Sequence, residues 1–363
     1  MSSIALSSAP AAGRAEPAAR ARTAVRTWLF VMAALVVAMV AVGGATRLTG
    51  SGLSITEWKP VTGALPPLSA DAWAQEFAKY RATPQYRLLN QGMSLPDFQF
   101  IYAWEWGHRL LGRLIGLVFF LPLVWFWWRG RLDRHLAAGL LGLGALGGLQ
   151  GAVGWIMVAS GLQPGMVAVA PVKLALHLTL ASGIFAGLVW LAAGLGRPGD
   201  GTGPRRLAAA ARGLMALVLV QIALGGLVAG ARAGLTYNTW PLMDGALVPP
   251  GLLSGTPWFE NFVDNLALVQ FNHRLAAYAL LLVAGLHCLD ARRSAPGTGA
   301  ARRATALLGL VAAQAALGVT TLLLVVPLWA GLAHQVTAML VLGMAAAHAR
   351  LCAGPAVHSR AAA

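Results

Sequence analysis

The sequence predicts an all-α polytopic membrane protein, with eight transmembrane helices forming two pseudo-symmetric four-helix bundles. Three observations predict it. The 363 residues are 58% hydrophobic and only 11% charged; several apolar runs exceed the roughly 18 residues that mark a membrane span; and the second half of the chain repeats the first.

Taken in order, the apolar runs lie at roughly 27–45, 106–128, 137–158, 173–195, 212–230, 267–289, 305–326 and 331–350, and all are long enough to cross hydrocarbon at ~1.5 Å per residue. The runs are punctuated by arginine. Basic clusters at Arg14/Arg20/Arg22/Arg26, Arg129/Arg131/Arg134, Arg197/Arg205/Arg206/Arg212, Arg292/Arg293/Arg302/Arg303 and Arg350/Arg360 all fall on one side of an eight-span count. By the positive-inside rule that side, with both termini, is cytoplasmic. The net charge of +15 is thus accounted for by topology, and a nucleic-acid partner is not implied. Cys288 and Cys352 lie near the ends of apolar runs and form no CxxC or loop pair, so no disulfide or zinc framework is implied.

These boundaries divide the chain into a basic N-terminal arm (1–26), a first bundle (27–196), a cytoplasmic linker (197–211), a second bundle (212–350) and a tail (351–363). The arm has the Ala, Ser and Arg content of a transit peptide, but a disordered basic arm is the preferred reading. Two long loops, about 46–104 and 231–266, face the opposite side, with mixed charge and many Pro and Gly.

The duplication is explicit when GGATRLTGSGLSITEWKPVTGALPP (43–67) is set above GGLVAGARAGLTYNTWPLMDGALVPP (225–250). Gly43/Gly225, Gly52/Gly234, Leu53/Leu235, Trp58/Trp240, Gly63/Gly245, Ala64/Ala246 and Leu65/Leu247 coincide at constant offset. The match continues through EWGHRL over QFNHRL, LQGAVG over AQAALG, and LALHLTLA over LAHQVTA. Each half has four spans beginning on the same side, so the repeats are parallel and related by an axis along the membrane normal.

Four of the eight histidines occupy equivalent places: His108 and His177 in the first half, His273 and His334 in the second. His135, His287, His348 and His358 do not, and are expected to be solvated or interfacial. Counting to the next basic cluster puts the four repeated histidines about 24 to 32 Å from the inner face at ~1.5 Å per residue, all in the outer leaflet. Two imidazoles at one height in each bundle suit the axial positions of a haem iron. One turn deeper stand Gly112, Ala181, Ala277 and Ala338, small enough for a macrocycle to approach, although close helix packing uses the same residues. Zinc is disfavoured, because it requires three or four converging ligands. Arg109 and Arg274 follow a histidine in both halves and are candidates to neutralise haem propionates; the alternative is a pair of snorkelling interfacial anchors.

One residue breaks the symmetry. Glu105, three positions before His108 on the same helix face, aligns with Gln270, so only the first half has a carboxylate beside its histidine. A carboxylate there suits proton transfer; a solvated helix-terminal Glu is the alternative.

Together the GG...R.LTGSGLS...EW.PVTG.LPP loop, EWGHRLLGR, LALHLTLA and the FNHR and AHQ histidines resemble haem A synthase, over most of residues 27–350. The resemblance implies oxidation of the C8 methyl of haem O to a formyl group by successive water-derived hydroxylations, in haem A biosynthesis for cytochrome oxidase. It implies haem b (iron) as cofactor in the C-terminal half, ligated by His273 and His334, and haem O as substrate in the N-terminal half, facing His108 and His177. Glu105 would assist proton removal or position water. The chain lacks the loop cysteine pairs of some bacterial members and is similar to the loop-cysteine-free type, so loop thiols play no part. Candidate partners are haem O, haem O synthase, an unidentified electron acceptor, membrane lipid and a further copy of the chain. The expected location is the bacterial inner membrane with the haem sites toward the outer face, the mitochondrial inner membrane being the alternative. The functional alternative is a di-haem b-type cytochrome carrying electrons between quinol and another carrier, for which Glu105 is incidental. A transporter with parallel repeats would place polar groups near the midplane instead.

Overall fold

A computed structural model describes residues 12–196 and 204–354. Residues 1–11, 197–203 and 355–363 lie outside the described residues, and with them the expectations for Arg197, His358, Arg360, the start of the arm and most of the tail. The described residues form α1 (Ala12–Leu48), α2 (Ala70–Arg81), α3 (Pro84–Leu89), α4 (Leu95–Trp128), α5 (Arg134–Gly161), α6 (Pro171–Gly194), α7 (Arg205–Ala231), α8 (Asn261–Asp264), α9 (Leu266–Ser294), α10 (Gly299–Leu323) and α11 (Leu328–Cys352). Eight of these, α1, α4, α5, α6, α7, α9, α10 and α11, are long and apolar enough to cross a membrane.

Two boundaries differ from the sequence reading in ways that matter. The second span begins at Leu95 rather than 106, because Ser94 and Asp97 form a capping box with Pro96 in the first turn. Glu105 and His108 therefore sit well inside a helix, not at its threshold. The first long loop is also not all loop: α2 starts at Ser69, whose side chain accepts from Ala72 N, and α3 at Thr83, whose hydroxyl accepts from Tyr86 N. Tyr80, Phe98, Ile101 and Tyr102 bury their rings and side chains where these helices meet α4. At the other discrepancy, α10 ends at Leu323 because Val325 and Val326 take left-handed φ values of 59° and 56°.

Helix contacts run α1 to α4 to α5 to α6 and back to α1, and α7 to α9 to α10 to α11 and back to α7. Between the halves α6 packs on α7 and α11, and α1 on α11. Leu29, Met32 and Val36 of α1, Leu188 of α6, Leu214 of α7 and Leu342 of α11 share the central core. Gly226 and Gly230 permit the tight α6–α7 approach: a Cβ on either would lie 2.9 and 2.7 Å from backbone atoms of Ala175 and Pro171. Apolar side chains such as Leu117, Leu121, Val124, Leu282 and Leu286 point outward, as a lipid-facing surface requires.

Candidate haem-binding sites

Each of the four repeated histidines is seated on a glycine of the preceding membrane helix. A Cβ at Gly43 in α1 would lie 3.1 Å from the His108 ring in α4; at Gly154 in α5, 2.9 Å from His177 in α6; at Gly225 in α7, 3.1 Å from His273 in α9; and at Gly318 in α10, 2.8 Å from His334 in α11. At Gly154 and Gly318 a side chain would force the ring to shift, and at Gly43 and Gly225 it would press tightly on it. All four histidines are half-buried. His108 and His177 lie close enough to interact electrostatically, as do His273 and His334.

Three of the four rings share a second partner that the sequence reading missed. Gln150 Nε2 donates to the backbone carbonyl of His177 at 3.0 Å and stands 3.2 Å from its ring; Gln221 does the same to His273 at 3.1 and 3.1 Å, and Gln314 to His334 at 2.9 and 3.1 Å. Each glutamine precedes the seating glycine by one turn, in QGAVG, QIALG and QAALG. That recurring Q-x-x-x-G was the available signal. Its oxygen is buried without a partner in all three cases. The amide nitrogen, held on the histidine's own carbonyl, is the atom that faces each ring and limits where the imidazole can turn.

The donor set fits haem. Among the described residues no group of three or more His, Cys, Asp or Glu side chains converges as a metal site, whereas two imidazoles per half suffice for an iron already held by a porphyrin. The residues that would hold it are His108 with His177, and His273 with His334.

Glu105 is 3% exposed and fully engaged. One oxygen pairs with Arg109 Nη2 at 2.7 Å; the other accepts from Ser54 Oγ at 2.7 Å and Ile55 N at 2.8 Å. Arg109 also donates to the carbonyls of Ile55 and Glu57, each at 2.9 Å. The second half repeats the latch: Arg274 donates to Gln270 Oε1 at 3.1 Å and to the Tyr237 carbonyl at 2.9 Å, while Gln270 donates to the carbonyls of Ala233 and Tyr237. Both arginines therefore clamp the loop that follows the first helix of their own half. The charged pair in the first half stands where the second has a neutral amide.

Over the first half a cleft of about 240 Å³ is lined by Tyr102, Arg109, Arg113, Glu57 and Lys59. Arg113 donates to the carbonyls of Lys59 and Pro60. On its rim Glu57 meets Lys59 at 2.6 Å and Lys79 at 2.8 Å, which holds the Glu57 carboxyl down at about 2 and pushes the Lys79 ammonium up.

His287 and His348 are not solvated, contrary to expectation. They are 5% and 0% exposed, with Nε2 atoms 2.7 Å apart and Cys352 Sγ 3.6 Å from His348. One N–H donor and one acceptor join the two rings through their Nε2 atoms inside the helix packing, while His287 Nδ1 is buried without a partner.

The COX15-CtaA family model, described as "Cytochrome oxidase assembly protein", matches residues 26–346. A protein named Heme A synthase from Methylobacterium sp. (strain 4-46) is 79% identical over 95% of this chain and 96% of its own length. A Heme A synthase from Methylorubrum populi is 67% identical over 96% and 93%, and one from Brucella ovis is 51% identical over 92% and 93%.

Proposed function

The chain belongs to the COX15-CtaA family of cytochrome oxidase assembly proteins, and on that footing we propose that it is a haem A synthase, an enzyme that oxidises the C8 methyl of haem O to a formyl group in a bacterial membrane. Each hydroxylation takes its oxygen from water and releases two electrons and two protons; loss of water after the second leaves the aldehyde. His273 and His334 would hold haem b, which would supply a redox centre for the electrons released. The substrate half is the one around His108 and His177. His108 and His177 orient haem O, and Glu105 positions water or accepts a proton at the methyl. Arg109 and Arg274 stiffen the loops and bring positive charge to the loop end, where propionates need it.

The observation that carries the reading is the replacement of the Gln270–Arg274 latch by Glu105–Arg109 in one half only. A symmetric electron carrier has no need of it. The domain division follows: 27–196 as the haem O half and 212–350 as the haem b half. Both termini lie on the cytoplasmic side, where the arginine clusters are, so both haem sites face outward. The partners that follow are haem O synthase as donor of the substrate and a separate electron acceptor.

The test is the haem content of cells supplied with haem O that express the protein, read by mass spectrometry. Accumulation of haem A supports the enzyme; its absence returns the protein to a di-haem cytochrome.

A further inference from the structure

We infer that Met39 sets the substrate half apart by leaving His108 untethered, and that the Gln150, Gln221 and Gln314 amides are positioning residues that lock the other three imidazoles. The inference rests on the assignment of halves made above. The seating glycines occur in MVAVG (39–43), QGAVG (150–154), QIALG (221–225) and QAALG (314–318). Met39 thus occupies the place of Gln221 at the same offset that relates Gly43 to Gly225.

The consequence is visible at the rings. His177, His273 and His334 each have an amide nitrogen within 3.2 Å of a ring nitrogen and bonded to their own backbone carbonyl. Among the described residues, His108 has no hydrogen-bond partner for its ring. Met39 is directed instead at the helix one turn deeper, its Cε 3.5 Å from where a Cβ on Gly112 would be. A thioether is a weak acceptor and no donor, so it cannot hold an imidazole in one orientation.

Outer partners of a ligating histidine fix its rotation and are worth about 10- to 100-fold in affinity. Both histidines of the C-terminal half have one, as a resident cofactor that must not leave requires. In the N-terminal half only one of the two does. A haem there is anchored on the α6 side and held loosely on the α4 side, which suits a molecule that enters as substrate and departs as product. The loosened histidine is also the one on the helix that carries Glu105.

The experiment uses the purified full-length protein in detergent, with ferric haem b as probe. Transfer of haem to excess haem-free myoglobin is followed optically, and the low-spin signal by electron paramagnetic resonance. Gln221→Met and Gln314→Met are expected to speed haem release from the C-terminal half by about tenfold or more and to shift its low-spin g values, since ring orientation changes. Met39→Gln is expected to slow release of a second equivalent of haem from the N-terminal half by about the same factor. A merely structural role for these positions does not predict that gain. Wild-type release rates and unchanged g values in both glutamine variants overturn the inference, and do so even if Met39→Gln fails to fold. Failure of the half assignment reads differently: His273→Ala then keeps the low-spin spectrum of the resident haem.

Discussion

Glu105 and Arg109 form an ion pair of 2.7 Å one helical turn apart, and between them they take up both the backbone nitrogen and the carbonyl of Ile55. The same four-residue step joins Gln270 to Arg274, which holds the carbonyl of Tyr237, the residue at the Ile55 offset. The arginine side of the latch is common to both halves, but the other side is not: Glu105 accepts from Ser54 and Ile55, whereas Gln270 donates to the carbonyls of Ala233 and Tyr237. The carboxylate is present in one half only.

Glu105→Gln keeps the shape and one acceptor oxygen and is expected to fold and to keep the b-type spectrum, while haem A formation falls by about 10² or more, the range for losing an acid–base group. Glu105→Ala is the harsher change: it removes the ion-pair partner of half-buried Arg109 and the acceptor for Ser54 and Ile55, and is expected to destabilise the fold by about 1–3 kcal/mol. Haem A at the normal rate in Glu105→Gln, by mass spectrometry of extracted haem, removes the carboxylate from the chemistry.

His273→Ala and His334→Ala are each expected to abolish the low-spin b-type spectrum of the purified protein. His108→Ala and His177→Ala are expected to leave that spectrum and stop haem A formation. An inverted pattern moves the cofactor to the N-terminal half.

Gly318→Ala puts a Cβ 2.8 Å from the His334 ring, closer than real contacts allow, so the imidazole must swing away. The expected result is loss of low-spin haem b at a stability cost of about 1–3 kcal/mol, with helix content by circular dichroism unchanged. Gly154→Ala is expected to do the same to the His177 site only, leaving the b-type spectrum as it was.

Lys59 first, then Lys79, holds the Glu57 carboxyl at about 2, below its ordinary 4.5. Because the folded value is the lower one, the stabilisation is complete above about pH 4.5 and is lost as pH falls toward 2. Glu57 is well exposed, so its size is at most about 1 kcal/mol. Fluorescence of Trp58 should accordingly be flat from pH 5 to 8 and change only below about 4.5; a transition within pH 5 to 8 contradicts this assignment.

Much of the site was legible because the chain is duplicated. Alignment of the two halves singled out four histidines from eight, and Glu105 from its counterpart Gln270, with no structure in hand. His287 and His348 escaped because they lie near helix ends, where imidazole is usually solvated, and nothing local shows that α9 and α11 turn them toward each other. The glutamines escaped for a related reason. Gln is unremarkable in a helix until the histidine it holds, 20 to 52 residues away, is known to lie across from it.

By itself, then, the sequence determined the number of spans, their parallel duplication and which imidazoles recur, since hydropathy and periodicity are properties of contiguous residues. Tertiary structure decided what each of those residues touches. It made Glu105 and Arg109 a loop clamp, gave three histidines an amide and left His108 without one. Such contacts depend on how neighbouring helices rotate and approach, and that is fixed by packing between segments far apart in the chain.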